Sequence, residues 1–392
     1  MKILHTVEFY HPSVGGTQEV VKQISERLVK SGHDVTIATT QLPERNARDL
    51  NGVRIEEFEV SGNAVRGLLG ETKKYERFLV ESNFDVVTNF AAQQWATDVM
   101  LPLLDCIEAK KVFVPTGFSG LYLPAYKEYF EAMKAWMRKY DMNVFLSDDY
   151  RDINFARECG LKNFTVIPNG ASEEEFNANT PHADIRRQMG IAKDCFLILH
   201  VGSHTGAKGH AEAIEIFRRA RIENAALLIV GNDFGDGCAG RCAIKMKLFK
   251  LSPKRLLDDK TLIVASLSRK DTIAAYLAAD CFLFPSNVEC SPLVLFECMA
   301  SKTPFLTADV GNAAEIIEWS KAGRLLPTQK DSKGNSKAEI KSSAAMLTDI
   351  YNRPDEREAM QHSGYEEWSK RFTWARIAQS YEEMYRSLLL PR

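Results

Sequence analysis

The 392-residue chain has no run approaching the roughly 18 apolar residues of a membrane span, and its start, MKILHTVEFYHP, lacks the apolar core of a secretion signal. A protein that stays in the cytoplasm is expected. Charge of one sign is also missing: 50 basic side chains face 52 acidic ones, which gives no support for nucleic-acid binding. Internal repeats and low-complexity tracts are absent, and KDSKGNSKAE (330 to 339) reads as a polar loop. The eight cysteines form no repeated C-x-x-C and read as reduced thiols. Cys238 and Cys242 are a close pair without an evident core role, but no second pair of ligands is suitably spaced, so zinc is not expected there. Gly202, Gly206 and Gly209 miss the dinucleotide fingerprint spacing, which excludes a nicotinamide reading.

What is present is the composition of a globular enzyme, 45% hydrophobic and 26% charged, in a chain long enough for two cores. Ile3 to Val7 reads as a buried strand. The loop EFYHPSVGGTQ follows, then a helix from about Thr17 to Lys30 with an apolar stripe of Val20, Val21, Ile24 and Leu28, then the strand VTIAT. That succession is a unit of a parallel sheet. Gly15 and Gly16 let backbone approach a ligand at the helix mouth; the plainer reading is a turn for chain reversal. A helical region is expected over about Ala64 to Glu81 and another around Gln93 to Ile107. The stretch 122 to 143 carries Tyr126, Tyr129, Phe130, Trp136 and Tyr140 interleaved with Lys and Arg. It reads either as an amphipathic helix with one core face or as a surface for membrane or a lipid-linked acceptor. The loop GDGCAGRC is expected to be flexible and able to border a nucleotide base.

The most informative segment runs from Asp280 to Gly311. An apolar run reaches Pro285-Ser286-Asn287, and Ser291-Pro292 reads as an N-cap and first position of a helix. The free N–H groups of Leu293 and Val294 then sit at a positive helix end, which favours phosphate. Glu289 lies just before this start and Glu297 inside the helix. A second phosphate cradle is GSHTGAKGH, with Gly202, Ser203 and Gly209 in the loop and Lys208 as its cation.

FLFPS, Glu289 to Glu297, Ala300 to Pro304, GNAAEIIEW and AGRLLP occur in an order that resembles the retaining glycosyltransferases of family 4. The resemblance implies an α/β GT-B fold: two doubly wound Rossmann-like domains facing a cleft. It places an acceptor-side domain at 1–170, ending at VIPNG, and a nucleotide-sugar domain at 171–392. The final helix, about 373–390, would cross back to the first domain. It implies transfer of a sugar from a UDP- or GDP-type donor to a hydroxyl of a glycan or lipid-linked saccharide in cell-surface polysaccharide or glycoconjugate synthesis. Transfer would proceed with retention and without a metal or other cofactor. No Asp-x-Asp motif lies beside the donor segment. Glu297 would bind ribose hydroxyls, Glu289 the donor sugar, Lys208 the diphosphate, and Gly311 would approach the phosphates. Gly15, Gly16, Thr116 and Gly117 would line the first domain's side.

Two departures stand out. Relatives carry a His after the strand KVFVPT, where this chain has Thr116-Gly117, and an Arg five positions before the lysine, where it has Ser203. Arg269 is the expected substitute for that missing cation. Peripheral contact with the inner face of the membrane is the localisation that a lipid-linked acceptor would imply. An epimerase or phosphorylase on the same fold, and a non-catalytic sugar-nucleotide-binding protein, are the alternative readings.

Overall fold

The computed structural model describes residues 1–177, 180–232, 237–251, 259–331 and 334–391. The chain divides into two compact units, Met1–Asn169 with Trp374–Arg392, and Gly170–Thr373.

The first unit is built on β1 (Lys2–Thr6), β2 (Asp34–Thr40), β3 (Asp49–Leu50), β4 (Val53–Phe58), β5 (Val60–Asn63), β6 (Gly67–Gly70), β7 (Val86–Phe90), β8 (Lys110–Val114), β9 (Met142–Phe145) and β10 (Phe164–Val166). Its main sheet has the order β10-β9-β8-β7-β1-β2-β4-β3, parallel except for the β3–β4 edge pair. The order reverses between β1 and β7. Apolar strands covered on both faces explain the choice of a parallel sheet: every residue of β7 is buried. Helix Trp374–Leu389 packs on helix Gly16–Lys30. Its Tyr385 hydroxyl reaches Thr88 Oγ1 at 2.7 Å and His5 Nε2 at 3.1 Å, so the last helix is tied to the centre of this sheet.

Two local expectations are corrected here, and the aromatic stretch follows the amphipathic of its two readings. NAVRGLLG does not open a helix: β5 and β6 form an antiparallel hairpin, and the helix starts only at Thr72. Gly62, Gly67 and Gly70 all have positive φ, a hairpin geometry that glycine adopts at no steric cost. The helix expected over Gln93–Ile107 is reduced to Trp95–Asp98 and a short turn of 3₁₀ helix at Leu101–Leu103, consistent with Pro102 interrupting the α pattern. In the aromatic stretch, helix Lys127–Lys139 buries Tyr129, Phe130, Met133 and Met137, and Tyr126 and Tyr140 are buried beside it. The aromatic residues are therefore spent largely on the core face. Tyr122 and Leu123 stay exposed.

The second unit contains β11 (Phe196–Val201), β12 (Ala225–Val230), β13 (Lys260–Ala265), β14 (Cys281–Phe284), β15 (Phe305–Thr307) and β16 (Gly323–Leu325), plus a hairpin of β17 (Thr328–Lys330) and β18 (Ser336–Ala338). That hairpin overlaps the stretch expected as a polar loop, 330 to 339; residues 332 and 333 lie outside the described ones. The sheet is wholly parallel in the order β13-β12-β11-β14-β15-β16, which is the doubly wound order. Its direction reverses between β11 and β14. Loops leaving the carboxyl ends of those two strands border the crevice where such sheets hold ligands. Among the described residues no helix is long and apolar enough to cross a membrane.

Candidate functional site

The loops after β11 and β14 are Gly202–Gly209 and Pro285–Pro292, the two segments expected to hold phosphate and sugar. They meet through backbone. Asn287 N donates to Ala207 O at 2.8 Å. Gly209, at φ +72°, presses so close to Pro285 that a Cβ would lie 2.0 Å from its carbonyl oxygen. Gly311, at φ +57°, sits the same way on Cys290, with 2.2 Å left for a Cβ, and Asn312 N donates to Cys290 O at 2.9 Å. Each of these two glycines is required by both conformation and space.

At the centre of this knot Lys208 Nζ donates to Glu289 Oε1 at 2.7 Å, and Ser286 Oγ donates to the same oxygen at 2.8 Å. The lysine side chain is 29% exposed and the carboxylate 11%, so a cation is presented at the loop surface from a largely enclosed anchor. Two donors on one oxygen hold the carboxylate in a set orientation. That suits the ordering of hydroxyl groups better than nucleophilic attack.

The helix behind Glu289 starts one residue later than expected. Pro292 occupies the N-cap position with ψ 114°, and Leu293–Ala300 is helical, so Ser291 is not the cap. Proline's fixed φ serves extended backbone as readily as helix. Leu295 N donates to Pro292 O at 3.1 Å, while the N–H groups of Leu293 and Val294 belong to the first turn, ahead of the intrahelical ladder.

Glu297 is buried in this helix, and Arg269 Nη1 donates to its Oε1 at 2.5 Å. The same guanidinium makes a two-pronged pair with Glu175, Nε to Oε1 at 3.0 Å and Nη2 to Oε2 at 2.6 Å. Arg269, the cation expected at the diphosphate, bridges the two carboxylates of Glu175 and Glu297. Tyr276 lies buried against Glu297, and burial first, then the carboxylate, pushes its hydroxyl well above the usual phenol range. Ser203 is partly buried, and its carbonyl accepts from Thr205 N at 2.8 Å, so its place in the loop is turn-forming. GDGCAGRC is helical from Cys238 onward, contrary to the flexible loop expected, and Gly235 and Asp236 lie outside the described residues.

In the first unit Gly15 is the N-cap of helix Gly16–Lys30 with extended backbone, φ −176°. A Cβ on Gly16 would meet nothing within 4 Å, and one on Gly15 only the movable end of Gln18. Neither glycine is demanded by the fold's own packing, which weakens the chain-reversal reading. After β8, Thr116, Gly117 and Phe118 have φ of 56°, 99° and 46° in succession. For a β-branched threonine this is a strained conformation. It is held by Gly117 N donating to buried Asp152 Oδ2 at 2.8 Å, and by Phe118 packing edge-on against Phe130 and Phe155. Burial pushes the Asp152 carboxyl up to about 6, against the pull of its backbone donors.

Sequence reasoning missed three carboxylates in this unit and the next. Asp98 is buried, accepts from Tyr129 OH at 2.7 Å and Ala64 N at 2.9 Å, and is pushed by burial up to about 6. Glu8, at the end of β1, is raised by burial and then by Asp98. Glu175 sits in an acidic run that gives no local sign of its partner 94 residues away.

The family model of glycosyl transferases group 1 matches residues 182–366, and that of glycosyltransferase family 4 matches residues 14–175. The chain belongs to the family 4 glycosyltransferases of group 1. It has the GT-B fold with two Rossmann-like domains. An uncharacterized glycosyltransferase of Methanocaldococcus jannaschii is 25% identical over 344 residues, 81% of this chain and 83% of the relative. The lipopolysaccharide glucosyltransferase WaaG of Escherichia coli is 26% identical over 327 residues, 80% of this chain and 82% of the relative. Anabaena HepE, solved in complex with UDP and glucose, superposes with a TM-score of 0.75 at 16% identity, covering 99% of this chain and 100% of its own.

Proposed function

We propose that this family 4 glycosyltransferase moves a sugar from a nucleoside-diphosphate sugar to a hydroxyl of a saccharide or lipid-linked saccharide acceptor, with retention at the anomeric carbon. The observation that carries the reading is the Lys208–Glu289–Ser286 knot at the reversal point of the second sheet, beside the start of helix Leu293–Ala300. In this reading the donor diphosphate takes Lys208 from Glu289 and faces the N–H groups of Leu293 and Val294. Charge growing on the leaving diphosphate then meets a cation and a helix end already in place. Those groups do the neutralising that a metal ion does elsewhere. Glu289, released from Lys208 but still bonded to Ser286, orders hydroxyls of the donor sugar, and Glu297, aimed by Arg269, takes the ribose. The leaving phosphate itself receives the acceptor proton on the face that it vacates.

The HepE complex makes uridine the first base to test, and the WaaG relative makes a lipopolysaccharide-type glycan the first acceptor class. A lipid-linked acceptor would bring the enzyme to the inner face of the membrane, where exposed Tyr122 and Leu123 are the groups placed to touch it. A panel of UDP- and GDP-sugars is screened by thermal shift, since a bound ligand raises the melting temperature by mass action. Nucleotide release is then measured with and without saccharide acceptors, and the anomeric configuration of the product is read by NMR. Acceptor-dependent release with retention is the expected result. Product formed without acceptor would indicate an epimerase, phosphate dependence a phosphorylase, and binding without turnover a carrier of sugar nucleotide. Replacing Lys208 by Ala lowers turnover by at least about tenfold, the loss of one charge-assisted contact.

A further inference from the structure

Three side chains with metal-ligating atoms converge at the Gly202–Gly209 loop, outside the groups assigned to the donor. His204 comes from the loop itself, His210 opens the helix that follows it, and Cys238 opens helix Cys238–Lys250. They are 1%, 2% and 5% exposed, and their donor atoms all lie within 4.8 Å of one another. Cys242, one helical turn on and also buried, neighbours Cys238. Spacing alone offered Cys238 and Cys242 without further ligands. The fold supplies the two imidazoles.

The tautomer of His210 follows from its surroundings. Its Nε2 lies 3.0 Å from Gly202 O, and a carbonyl oxygen only accepts, so Nε2 carries the proton and Nδ1 the lone pair. That lone pair faces Cys238 Sγ at 3.9 Å. A ligating imidazole steadied on its far nitrogen by a backbone carbonyl is the arrangement by which metal sites orient histidine. With zinc bonds of roughly 2.0 to 2.1 Å to nitrogen and 2.3 Å to sulfur at tetrahedral angles, the N···S separation is about 3.5 Å. Closing the observed distance takes a few tenths of an ångström. The main-chain N–H of His204 donates to Asn232 O at 2.9 Å, which fixes the backbone of that residue. Its ring stacks on His210 with centroids 4.2 Å apart, so one of the two rings turns about its side-chain bonds for both to point at a shared ion.

We propose that His204, His210 and Cys238, completed by Cys242, bind a zinc-class divalent cation. Two imidazoles and two sulfurs are a ligand set that suits zinc. Binding releases the two thiol protons to solvent and forms two metal–sulfur and two metal–nitrogen bonds, with no change of oxidation state. Two thiolates cancel the double charge of the ion, and a site without net charge is the kind that a buried position tolerates. The ion ties the buried side of the Gly202–Gly209 loop to the helix at Cys238, while Lys208 on the same loop remains partly exposed. Its role is to pin the loop, and it holds whether or not that loop receives a diphosphate.

The test uses the full-length protein stripped of metal and titrated with cobalt(II), which reports thiolate ligation by a charge-transfer band and tetrahedral geometry by its visible spectrum. The expected result is one equivalent per chain, displaced by zinc, with slower amide hydrogen exchange over residues 203–210 in the metal-bound form. Cys238→Ser and Cys242→Ser each weaken the band and lower affinity by at least about tenfold, the double variant abolishes the band, and Cys106→Ser, at an exposed thiol, leaves band and affinity unchanged. Wild-type protein that takes up cobalt without a thiolate band, or not at all, would show that Cys238 and His210 share only a thiol–imidazole contact and would overturn the proposal. Equal loss in the Cys106 variant would overturn it too. Unchanged exchange over the loop would overturn the pinning role.

Discussion

The two units hold their carboxyl-edge loops by opposite means. In the second, Gly209 and Gly311 lie flat on neighbouring carbonyls, and the charged side chains pair across loops, Lys208 with Glu289 and Arg269 with Glu175 and Glu297. In the first, the backbone itself is strained at Thr116 and Phe118, and the carboxylate that supports it, Asp152, is buried and accepts from backbone N–H groups. The first scheme presents a fixed arrangement of charge, which suits a diphosphate common to all donors. The second stores strain in a loop, the kind of place where a binding surface can differ from one protein to the next without touching the sheet beneath.

The largest effect that can break this contrast is at Gly209. Changing it to Ala adds a side chain at φ +72° with its Cβ 2.0 Å from Pro285 O, and the expected loss of stability in urea unfolding is about 3 kcal/mol from backbone strain plus overpacking. Gly16→Ala, with nothing within 4 Å of the new methyl group, leaves stability within about 0.5 kcal/mol. Its effect is confined to turnover. A Gly209 variant as stable as wild type would show that the two units do not differ in the way described.

Next in size is the Arg269–Glu297 pair. Glu297→Ala raises the donor's KM by about tenfold to hundredfold, the range for a charge-assisted bond, whereas Arg269→Ala, which only disorients Glu297, raises it less and leaves kcat near wild type. If Arg269 acts on the diphosphate directly, its removal lowers kcat as severely as removal of Lys208. That result would return the guanidinium to the phosphates.

A pH series sharpens the other half of the comparison. The Asp152 carboxyl is raised in the folded state, to about 6 from an ordinary 3.8, so between those values the native protein holds a proton that the unfolded chain has lost. Stability from this group is therefore fully present below about pH 4 and falls as pH rises through about 6, by something on the order of 3 kcal/mol. Asp152→Asn keeps an acceptor for Gly117 N and flattens that fall, measured as the urea midpoint against pH. An unchanged slope would mean that Asp152 is ionised in the native state throughout. The smallest effect is at Thr116, where Asn tolerates positive φ better, and Thr116→Asn gains about 0.5 to 1 kcal/mol; a loss would place a structural duty on the threonine side chain.

Much of the candidate donor site is visible in short windows of sequence. FLFPS, Glu289, Glu297 and the Lys208 loop each carry their meaning within a few residues, because a strand end, a turn and a helix start are local structures. Ser291 shows the limit even there: the residue looks like a cap, yet the cap position passes to Pro292. The first unit's loop was harder to read. PTGFSG contains two glycines, yet Thr116 and Phe118 also take positive φ, and the partners that hold them there, Asp152 on Gly117 N and Phe130 and Phe155 around Phe118, lie outside the window.

The sequence by itself determined the family, the alternation of strands and helices, and the segments we propose to face the donor, since periodic burial and turn chemistry act over neighbouring residues. Only the tertiary structure decided what those segments' charges do. It joined Arg269 to Glu175 across 94 positions, set Ser286 and Lys208 on one oxygen of Glu289, and brought His204 and His210 to Cys238. The physical reason is the order of the sheet. Placing β11 beside β14 puts loops 80 residues apart in contact, and an ion pair or ligand set exists only once two such loops share the same few ångströms.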